Sequence, residues 1–423
     1  MKTAKFKDSP LGPIPHDWEV KRLGKICDVQ LGKMLDSAKN QGEECFYLTN
    51  KDVQWGRISV SDLRRMRMSE DDRQRFSLRQ GDLLVCEGGE VGRCAIWNSE
   101  VEGCCFQKTI HRVRANVSDT IDMRFLQPLL CVYAKKGVFD PYISCTSIAH
   151  LTKEKFELLE IICPPVPEQQ RIAEALGEVD KLIESLDEQV EKKRLIAKGV
   201  AHDLLSGKKR LPGFKGAWRE VAFKVAFVSL GNNTYARECL CGYSTNAYDI
   251  HYGDVLIRFG AVVDFSSDYI PRLKDGIKPN KDFLQNGDIV FADTAEDEMV
   301  GKAVEVRGLG DGKAVSGLHT MACRPRADMF APRFLGYYLN SDSYRKQLLP
   351  LITGSKVSSL SRANFESTIL TMPDVIEQQA IADLLSEQDA AIAALEAKRE
   401  KYVRIKEGMM RDLLTGKVRM KGE

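Results

Sequence analysis

The chain has 423 residues, and at roughly 150 residues per domain this length excludes a single small module. Its 62 Lys and Arg residues nearly balance 60 Asp and Glu residues, so an acidic polymer would have to be bound by local basic patches. With 43% hydrophobic and 29% charged residues, the composition excludes a disordered chain and a membrane-embedded one.

The N-terminal segment has no apolar signal-peptide core, and nowhere do about 18 uncharged apolar residues follow one another. We therefore expect a cytoplasmic protein that does not contact a membrane. The twelve cysteines are scattered and form no CxxC pair, which favours reduced, mostly buried thiols over disulfides or a zinc site.

The first segment, residues 1–163, alternates short apolar runs with Gly, Pro, Asn and Asp turns. This pattern predicts strands at 82–86 and 95–97 and a short helix over 123–133. We expect an α+β domain with a mainly antiparallel sheet.

A long helix is predicted within residues 164–211. Prolines precede it, Glu168 places negative charge at the positive end of the helix dipole, and Gly207 fits a C-terminal cap. From Glu168 to Leu205 the helix would measure about 57 Å. Its apolar residues recur at steps of four and three, a heptad seam. The seam residues are Ile172, Leu176, Val179, Ile183, Leu186 and Val190.

Residues 212–372 again resemble a mixed α+β domain, with a strand at 288–291 and a short helix at 332–339. Residues 373–423 then predict a second long helix, which begins near Glu377 and is capped by Gly416. The equivalent seam residues are Ile381, Leu385, Ile392, Leu395 and Tyr402.

The two long helices are copies of one sequence. Between residues 168–210 and 377–419, 20 of 43 paired positions are identical at a constant offset of 209. Chance would give roughly two or three. One heptad stripe alone more often lies on its own domain's core, but two matched stripes favour helices that pack on each other. We therefore expect two globular domains joined by an antiparallel coiled coil with pseudo-two-fold symmetry.

No catalytic constellation stands out. The chain contains no GxxxxGK[ST] loop, no HExxH and no GxSxG. His111 and His319 occupy nearly matching repeat positions, which favours a shared structural role. The sequence predicts a protein without enzymatic activity.

Basic residues in the loops are the positive functional signal. Arginine and lysine interleaved with aromatic residues are typical of surfaces that contact phosphates and read bases, although a solvated surface is the alternative. The candidate DNA contacts from this pattern are Trp55, Arg57, Lys108, Arg112, Arg114, Arg258, Arg324 and Arg326.

Taken in order, the motifs resemble the specificity (S) subunit of a type I restriction-modification system, the HsdS family. The resemblance rests on Gly-Pro-Ile-Pro-His-Asp-Trp at 12–18, on Glu-Gln-Gln at 168–170 and 377–379, and on Asp-Leu-Leu-Ser/Thr-Gly-Lys at 203–208 and 412–417. It covers essentially the whole chain.

This resemblance implies two target-recognition domains, each contacting one half of a bipartite site in double-stranded DNA, with the coiled coil setting the spacer between the halves. Two methylation (M) subunits would methylate adenine with S-adenosylmethionine, and restriction (R) subunits would supply ATP-driven, Mg-dependent translocation and cleavage. The chain itself would bind no cofactor.

In this family a Gly-Ser/Thr-x-x-x-x-Leu segment lies close to DNA. The second copy, Gly354-Ser355-Lys356 to Leu360, matches, whereas the first copy around Ser147 lacks the glycine and the lysine. The resemblance thus adds Ser147, Ser355 and Lys356 to the candidate contacts. A helix beginning at Ser147 or Ser355 would offer backbone N–H groups to a phosphate.

Two other classes remain open from the sequence. A scaffold would use the paired domains to bind proteins, and a DNA-modifying enzyme would need catalytic motifs that the chain lacks.

The coiled-coil interpretation generates a test. Inserting one helical turn after Val190 should lengthen the recognised spacer by about 5 Å, or one to two base pairs, because an α-helix rises about 5.4 Å per turn. Methylation-site sequencing measures the spacer, and an unchanged spacer would contradict a role of the helices as a ruler.

Overall fold

A computed structural model describes residues 5–36, 40–117, 120–145, 149–279 and 282–420. The chain divides into two compact units. Unit 1 comprises Met1–Asp187 and Lys398–Glu423, and unit 2 comprises Glu188–Ala397. Each unit therefore contains one half of each long helix.

Within the described residues, strands β1 to β15 belong to unit 1. They are β1 (Phe6–Lys7), β2 (Ile14–Pro15), β3 (Glu19–Arg22), β4 (Cys27–Leu31), β5 (Glu43–Leu48), β6 (Val53–Gln54), β7 (Arg57–Ile58), β8 (Arg64–Met68), β9 (Leu83–Cys86), β10 (Cys94–Ile96), β11 (Cys105–Phe106), β12 (Ile110–Ala115), β13 (Ser144–Cys145), β14 (Ala149–His150) and β15 (Glu160–Cys163).

The strands that follow belong to unit 2. They are β16 (Arg219–Ala222), β17 (Phe227–Leu230), β18 (Leu240–Cys241), β19 (Tyr248–Ile250), β20 (Val262–Asp264), β21 (Arg272–Leu273), β22 (Ile289–Ala292), β23 (Thr294–Ala295), β24 (Ala303–Arg307), β25 (Ala314–Ser316), β26 (Thr320–Pro325), β27 (Ser358–Ser359) and β28 (Ile369–Met372).

Most helices are short, and two are long. They are α1 (Leu23–Ile26), α2 (Glu70–Phe76), α3 (Met123–Lys135), α4 (Lys153–Glu157), α5 (Val166–Leu205), α6 (Phe223–Ala226), α7 (Tyr252–Ile257), α8 (Phe334–Tyr338), α9 (Asp342–Leu348), α10 (Arg362–Glu366) and α11 (Val375–Leu413). The strands predicted at 82–86, 95–97 and 288–291 and the helices predicted at 123–133 and 332–339 are confirmed within a few residues.

Unit 1 is built on a central antiparallel sheet with the strand order β10-β9-β12-β4. Every residue of β9 is buried, but alternate side chains enter different cores, as the two-residue period of a strand requires. Leu83 and Val85 pack in the core that contains α3 and the start of α5. Leu84 and Cys86 pack in the core beneath the second sheet, whose order is β11-β5-β8.

Unit 2 repeats this plan. Its central sheet has the order β17-β26-β22-β24-β20, and its second sheet has the order β18-β21-β19-β25. Ile289 and Phe291 of β22 pack in the core that contains α8, α9 and the start of α11, while Val290 and Ala292 pack in a separate core with Val263. The first four strands of this central sheet match the unit 1 order β4-β12-β9-β10. Most pairings are antiparallel, with parallel pairs at β5–β11, β19–β25 and β20–β24.

The long helices end where the sequence predicts. Gly207 and Gly416 follow the last helical residues with φ of +70° and +72°, the left-handed conformation that glycine adopts without strain. Of the seam residues, six are buried and the others are half-buried. The buried ones are Ile172, Leu176, Leu186, Val190, Ile381 and Leu385.

Ion pairs join the two long helices within each unit. In unit 1, Asp180 of α5 lies 2.5 Å from Lys406 of α11. Two helical turns further along α5, Asp187 forms an ion pair with Arg399 of α11. The first number of each pair rises while the second falls, so the two segments run in opposite directions. In unit 2, Arg194 of α5 lies 2.6 Å from Glu396 of α11.

A buried carboxylate at the start of each long helix is bound by an arginine that follows the other long helix. Glu168 is 2% exposed and accepts hydrogen bonds from Trp18 Nε1 at 3.1 Å, from Arg419 Nη2 at 2.6 Å and from the Met420 amide at 3.1 Å. Arg419 also binds Asp17 at 2.8 Å. We call this arrangement the clasp of unit 1.

Unit 2 has an equivalent clasp. Glu377, fully buried, is bound through both carboxylate oxygens by Arg210. Glu377 and Arg210 match Glu168 and Arg419 at the repeat offset of 209. In each unit the guanidinium also lies over the indole ring of a tryptophan that opens the repeat, Trp18 or Trp218.

The glutamine after each clasp glutamate fastens the helix to its own domain. Gln169 accepts from the Asp122 amide at 2.9 Å and donates to the Pro164 carbonyl at 2.8 Å. Gln378 accepts from the Ala331 amide at 3.0 Å and donates to the Pro373 carbonyl at 2.9 Å. The repeated Glu-Gln-Gln sequence is therefore a structural junction.

The clasp predicts a stability effect of defined pH dependence. Burial opposes ionisation, but hydrogen bonds from Arg419, Trp18 and Met420 hold the pKa of Glu168 below its ordinary 4.5. The ionised group therefore contributes stability above about pH 4.5 and loses it as the pH falls through the lowered folded value. At pH 7, Glu168→Gln should lower the free energy of unfolding by about 3 kcal/mol. The reason is that the largely buried guanidinium of Arg419 loses the negative charge of Glu168.

Denaturant unfolding of the full chain measures this loss, and Arg194→Ala is the matched control. Arg194 and Glu396 are an exposed pair between the same two helices, for which a loss of about 1 kcal/mol or less is expected. Equal losses for the two variants would contradict a structural role of the clasp.

Candidate nucleic-acid interface

In unit 1, loops from separate parts of the chain meet at one end of the central sheet. The amide of Lys108 donates to the Lys33 carbonyl at 2.9 Å, and the amide of Glu87 donates to the Thr109 carbonyl at 3.0 Å. The amide of Leu151 in turn donates to Glu87 at 2.8 Å. We call the loops at 32–33, 87–89, 107–109 and 149–151 the edge loops of unit 1.

The edge loops of unit 2, residues 231–233, 293–295, 316–319 and 353–360, have the same bonding pattern. Asn232 forms a parallel bridge with Ser316, as Lys33 does with Gln107 in unit 1. The amide of Asp293 donates to the His319 carbonyl at 3.1 Å, and the amide of Leu360 donates to Asp293 at 2.9 Å.

The edge loops of unit 1 present both basic and acidic groups. Lys108 and His150 are exposed, and Glu87 is half-buried between them. Burial raises the pKa of Glu87, while the charges of His150 and Lys108 oppose that shift. This mixture can contact a phosphate through lysine and accept from a base amino group through the carboxylate.

In unit 2 a tight turn carries two of the predicted contacts. Thr353 and Ser359 exchange backbone hydrogen bonds of 3.1 and 2.8 Å, and the turn between them exposes Ser355 and Lys356. Gly354 has φ of +106°, and a Cβ there would collide with the Val357 carbonyl. A glycine is therefore required for this turn.

The expectation of a helix N-terminus at Ser355 is wrong. Helix α10 begins at Arg362, and Ser361 caps it by accepting from the Asn364 amide at 3.3 Å. Ser355 lies in the preceding turn because Gly354 adopts the left-handed conformation. Ser147 lies outside the described residues.

Three predicted contacts are held by carboxylates within the domains. Arg324 binds both oxygens of buried Asp288, at 2.9 and 2.8 Å, and Arg114 binds both oxygens of buried Asp82. Arg112 is 6% exposed and donates to Asp28 at 3.2 Å. These bonds give the three arginines a structural role within their own domains. The repeated Gly-Asp sequence supplies the carboxylate in both units.

The other predicted contacts are dispersed. Trp55 lies in the turn between β6 and β7 and donates to Glu90 at 2.7 Å, with exposed Arg57 beside it. Arg326 is exposed at the far end of β26 from the edge loops. Arg258 lies at the end of α7 and binds Asp254 at 3.2 Å. Of the predicted set, Lys108, Ser355 and Lys356 lie in the edge loops.

The histidine pair does not share a role, contrary to expectation. His111 is fully buried in β12, its ring bonds to the Leu151 carbonyl at 2.7 Å, and burial lowers its pKa to about 4. His319 is half exposed in the edge loops with a positive φ of 53° and faces Tyr252. Arg114 of β12 and Arg324 of β26 bind equivalent aspartates, so the repeat offset between these two strands is 210. At this offset His111 corresponds to Met321 and not to His319.

Sequence reasoning missed most of the edge loops. His150, Asn232 and Asp293 belong to no known motif, and only Lys108 and the Gly354-Ser355-Lys356 segment pointed to this region.

Other chemistry is sparse in the described residues. Across those ranges no three or more His, Cys, Asp or Glu side chains group as a metal site. The eleven cysteines with described side chains are free thiols, most of them buried. Within the same ranges, no helix is both long enough and apolar enough to cross a membrane.

Comparison with known proteins agrees with this geometry. Residues 15–192 match the family model described as "Type I restriction modification DNA specificity domain". The MjaX type I restriction enzyme specificity subunit of Methanocaldococcus jannaschii is 26% identical over 440 residues, covering 99% of this chain and 98% of that protein. The MjaVIII specificity subunit of the same organism is 24% identical over 438 residues, covering 99% and 97%.

Solved structures show the same fold. A chain from a structure on complex assembly and conformational transition of the type I R-M system superposes with a TM-score of 0.59 at 16% identity, covering 96% of this chain and 99% of that one. The S subunit of a type I restriction-modification system from M. genitalium gives a TM-score of 0.56 at 15% identity, covering 97% and 98%.

These matches make the chain similar to the DNA specificity subunits of type I restriction-modification systems over nearly its whole length. The family match itself covers residues 15–192, and the two full-length relatives extend the similarity to both units.

A buried aspartate behind the edge loops of unit 2 predicts an unusual pH dependence. Asp249 is fully buried, and burial raises its pKa from 3.8 to about 7, against the opposing amide of Asn233. Between about pH 4 and 7 the unfolded chain ionises this group and the folded chain does not, so its contribution to stability falls as the pH rises. Asp249→Asn should therefore stabilise the protein at pH 8, by up to about 4 kcal/mol at about 1.4 kcal/mol per pKa unit.

Thermal unfolding as a function of pH measures this gain, which should vanish below pH 4. The control is Asp264→Asn, because hydrogen bonds from Ser266 lower the pKa of Asp264 and reverse the sign. A constant difference between Asp249→Asn and the parent protein at all pH values would contradict the prediction.

Proposed function

We propose that the chain recognises a bipartite DNA site, one half through each unit, and directs adenine methylation and cleavage by partner subunits. The observation that carries this proposal is the duplicated set of edge loops, which have one backbone bonding pattern in two domains of different sequence. A constant frame with variable side chains suits two readers of different half-sites.

The charges of the edge loops support contact with DNA. Lys108 in unit 1 and Lys356 in unit 2 are exposed cations on loops fixed by backbone bonds, and such groups position a protein on phosphates. Glu87 and Asp293 stand at equivalent places and would repel phosphate, but a carboxylate accepts from cytosine N4 in the major groove. The edge loops thus carry groups suited to phosphate contacts and groups suited to base contacts.

The long helices are proposed to form an antiparallel coiled coil that sets the spacer and binds two M subunits. In unit 1, the successive ion pairs of Asp180 with Lys406 and of Asp187 with Arg399 support the antiparallel direction. S-adenosylmethionine would bind to the M subunits, and ATP and Mg to the R subunits, within a cytoplasmic complex. This chain would determine the DNA sequence at which the complex acts.

Selection from random duplex DNA tests the proposal. The chain is co-expressed with the products of its neighbouring genes, purified as a complex and incubated with the library. Two short conserved blocks separated by an unread spacer are expected. One continuous block would contradict reading by two units, and capture of proteins without DNA would favour the scaffold.

Lys356→Ala tests the phosphate contact in unit 2. Losing one phosphate contact should reduce the slope of log K against log salt by about 0.9 and weaken binding about equally across sequences. Binding to duplex DNA is measured between 50 and 200 mM salt. Arg326→Ala is the control, since Arg326 is also exposed but lies away from the edge loops. An unchanged slope for Lys356→Ala would exclude the contact.

A further inference from the structure

Two arginines of unit 2 share one buried carboxylate. Asp254 in α7 is 2% exposed, and it binds Arg237 at 2.5 Å and Arg258 at 3.2 Å. The side chains of Arg237 and Arg258 remain 50% and 36% exposed. Two cations against one anion leave a net positive charge at the surface, and Asp254 fixes the direction in which each guanidinium points.

Aromatic side chains flank this arginine pair. The guanidinium of Arg258 lies over the Tyr269 ring at 5.1 Å, and the Tyr269 hydroxyl lies against Gly242. The next residue, Tyr243, is 99% exposed, although its loop is held by a 2.7 Å bond from Ser244 to Asp275. Tyr269 therefore contacts both Arg258 and the loop that presents Tyr243 to solvent.

Helix α7 joins this surface to the edge loops. Its first residue, Tyr252, contacts His319 of the edge loops with ring centroids 5.3 Å apart, and its amide donates to the Leu318 carbonyl. The six residues of α7 span about 9 Å, which is close to three base-pair steps at about 3.4 Å. Arg258, which caps the far end of α7, therefore lies within a few base-pair lengths of the edge loops.

We propose that Arg237 and Arg258 are specificity-determining residues of unit 2 that read guanine in its half-site. This inference rests on the proposed function. It adds which residues of unit 2 read the DNA and which base they read. Arginine donating to guanine O6 and N7 is the commonest specific contact in the major groove. Its planar group gains from being oriented before DNA binds, which Asp254 and Tyr269 provide.

Methylation-site sequencing of the complex with its M subunits tests the pair. Arg258→Ala and Arg237→Ala should each lower the preference for guanine at one position of one half-site, by roughly 5- to 100-fold, and leave the other half-site unchanged. Arg258→Lys should lower it similarly, because lysine keeps the charge but loses the planar fork. The lysine variant also separates base reading from a loss of charge.

Controls keep the inference separable from the proposed function. Arg326→Ala should leave both half-sites unchanged, and Lys356→Ala should weaken methylation without changing any preferred base. An unchanged motif with Arg237→Ala and Arg258→Ala, or a uniform loss at all positions, would overturn the assignment. If the parent complex itself shows no split motif, the proposed function has failed rather than this inference.

Discussion

The clasp at the start of each long helix is the interaction on which the rest of the structure depends. Glu168 and Glu377 are buried carboxylates, and burying a charge is costly unless an ionic partner is buried with it. Arg419 and Arg210, which satisfy them, lie beyond the end of the opposite long helix. One ion pair per unit therefore fixes the start of one helix, the end of the other and the tryptophan that opens the repeat. The edge loops are held on the domain that this junction anchors.

Much of the fold could be predicted from the sequence because the repeat exposes it. The matching of 168–210 with 377–419 located both long helices and both glycine caps, and alternation of turns and apolar runs located the central strands. The clasp itself could not be predicted. A glutamate at a helix start is explained by the dipole alone, and nothing local shows that Glu168 is buried or that Arg419 reaches it.

The candidate interface was harder to predict for a physical reason. Counting arginines cannot distinguish a guanidinium that is surrounded by solvent from one that is bonded to a carboxylate of its own domain, as those of Arg112, Arg114 and Arg324 are. The carboxylates that bind Arg114 and Arg324 lie 32 and 36 residues away in sequence. Lys356 was predicted through the family resemblance of the segment from Gly354 to Leu360. Each set of edge loops consists of four segments that are distant in sequence. A local sequence pattern cannot predict that such segments meet.

The division of the chain into units has a consequence for how the protein is made. Unit 1 is not complete at Asp187, because Lys398 and the residues after it belong to the same compact body. On a ribosome adding about 5–20 residues per second, the intervening 210 residues of unit 2 take roughly 10–40 seconds to synthesise. Throughout that interval the apolar positions that Met410 and Leu413 will cover stay open. Unit 2 is contiguous and can close first, so the nascent chain has a built-in order in which the first-made domain is the last to be finished.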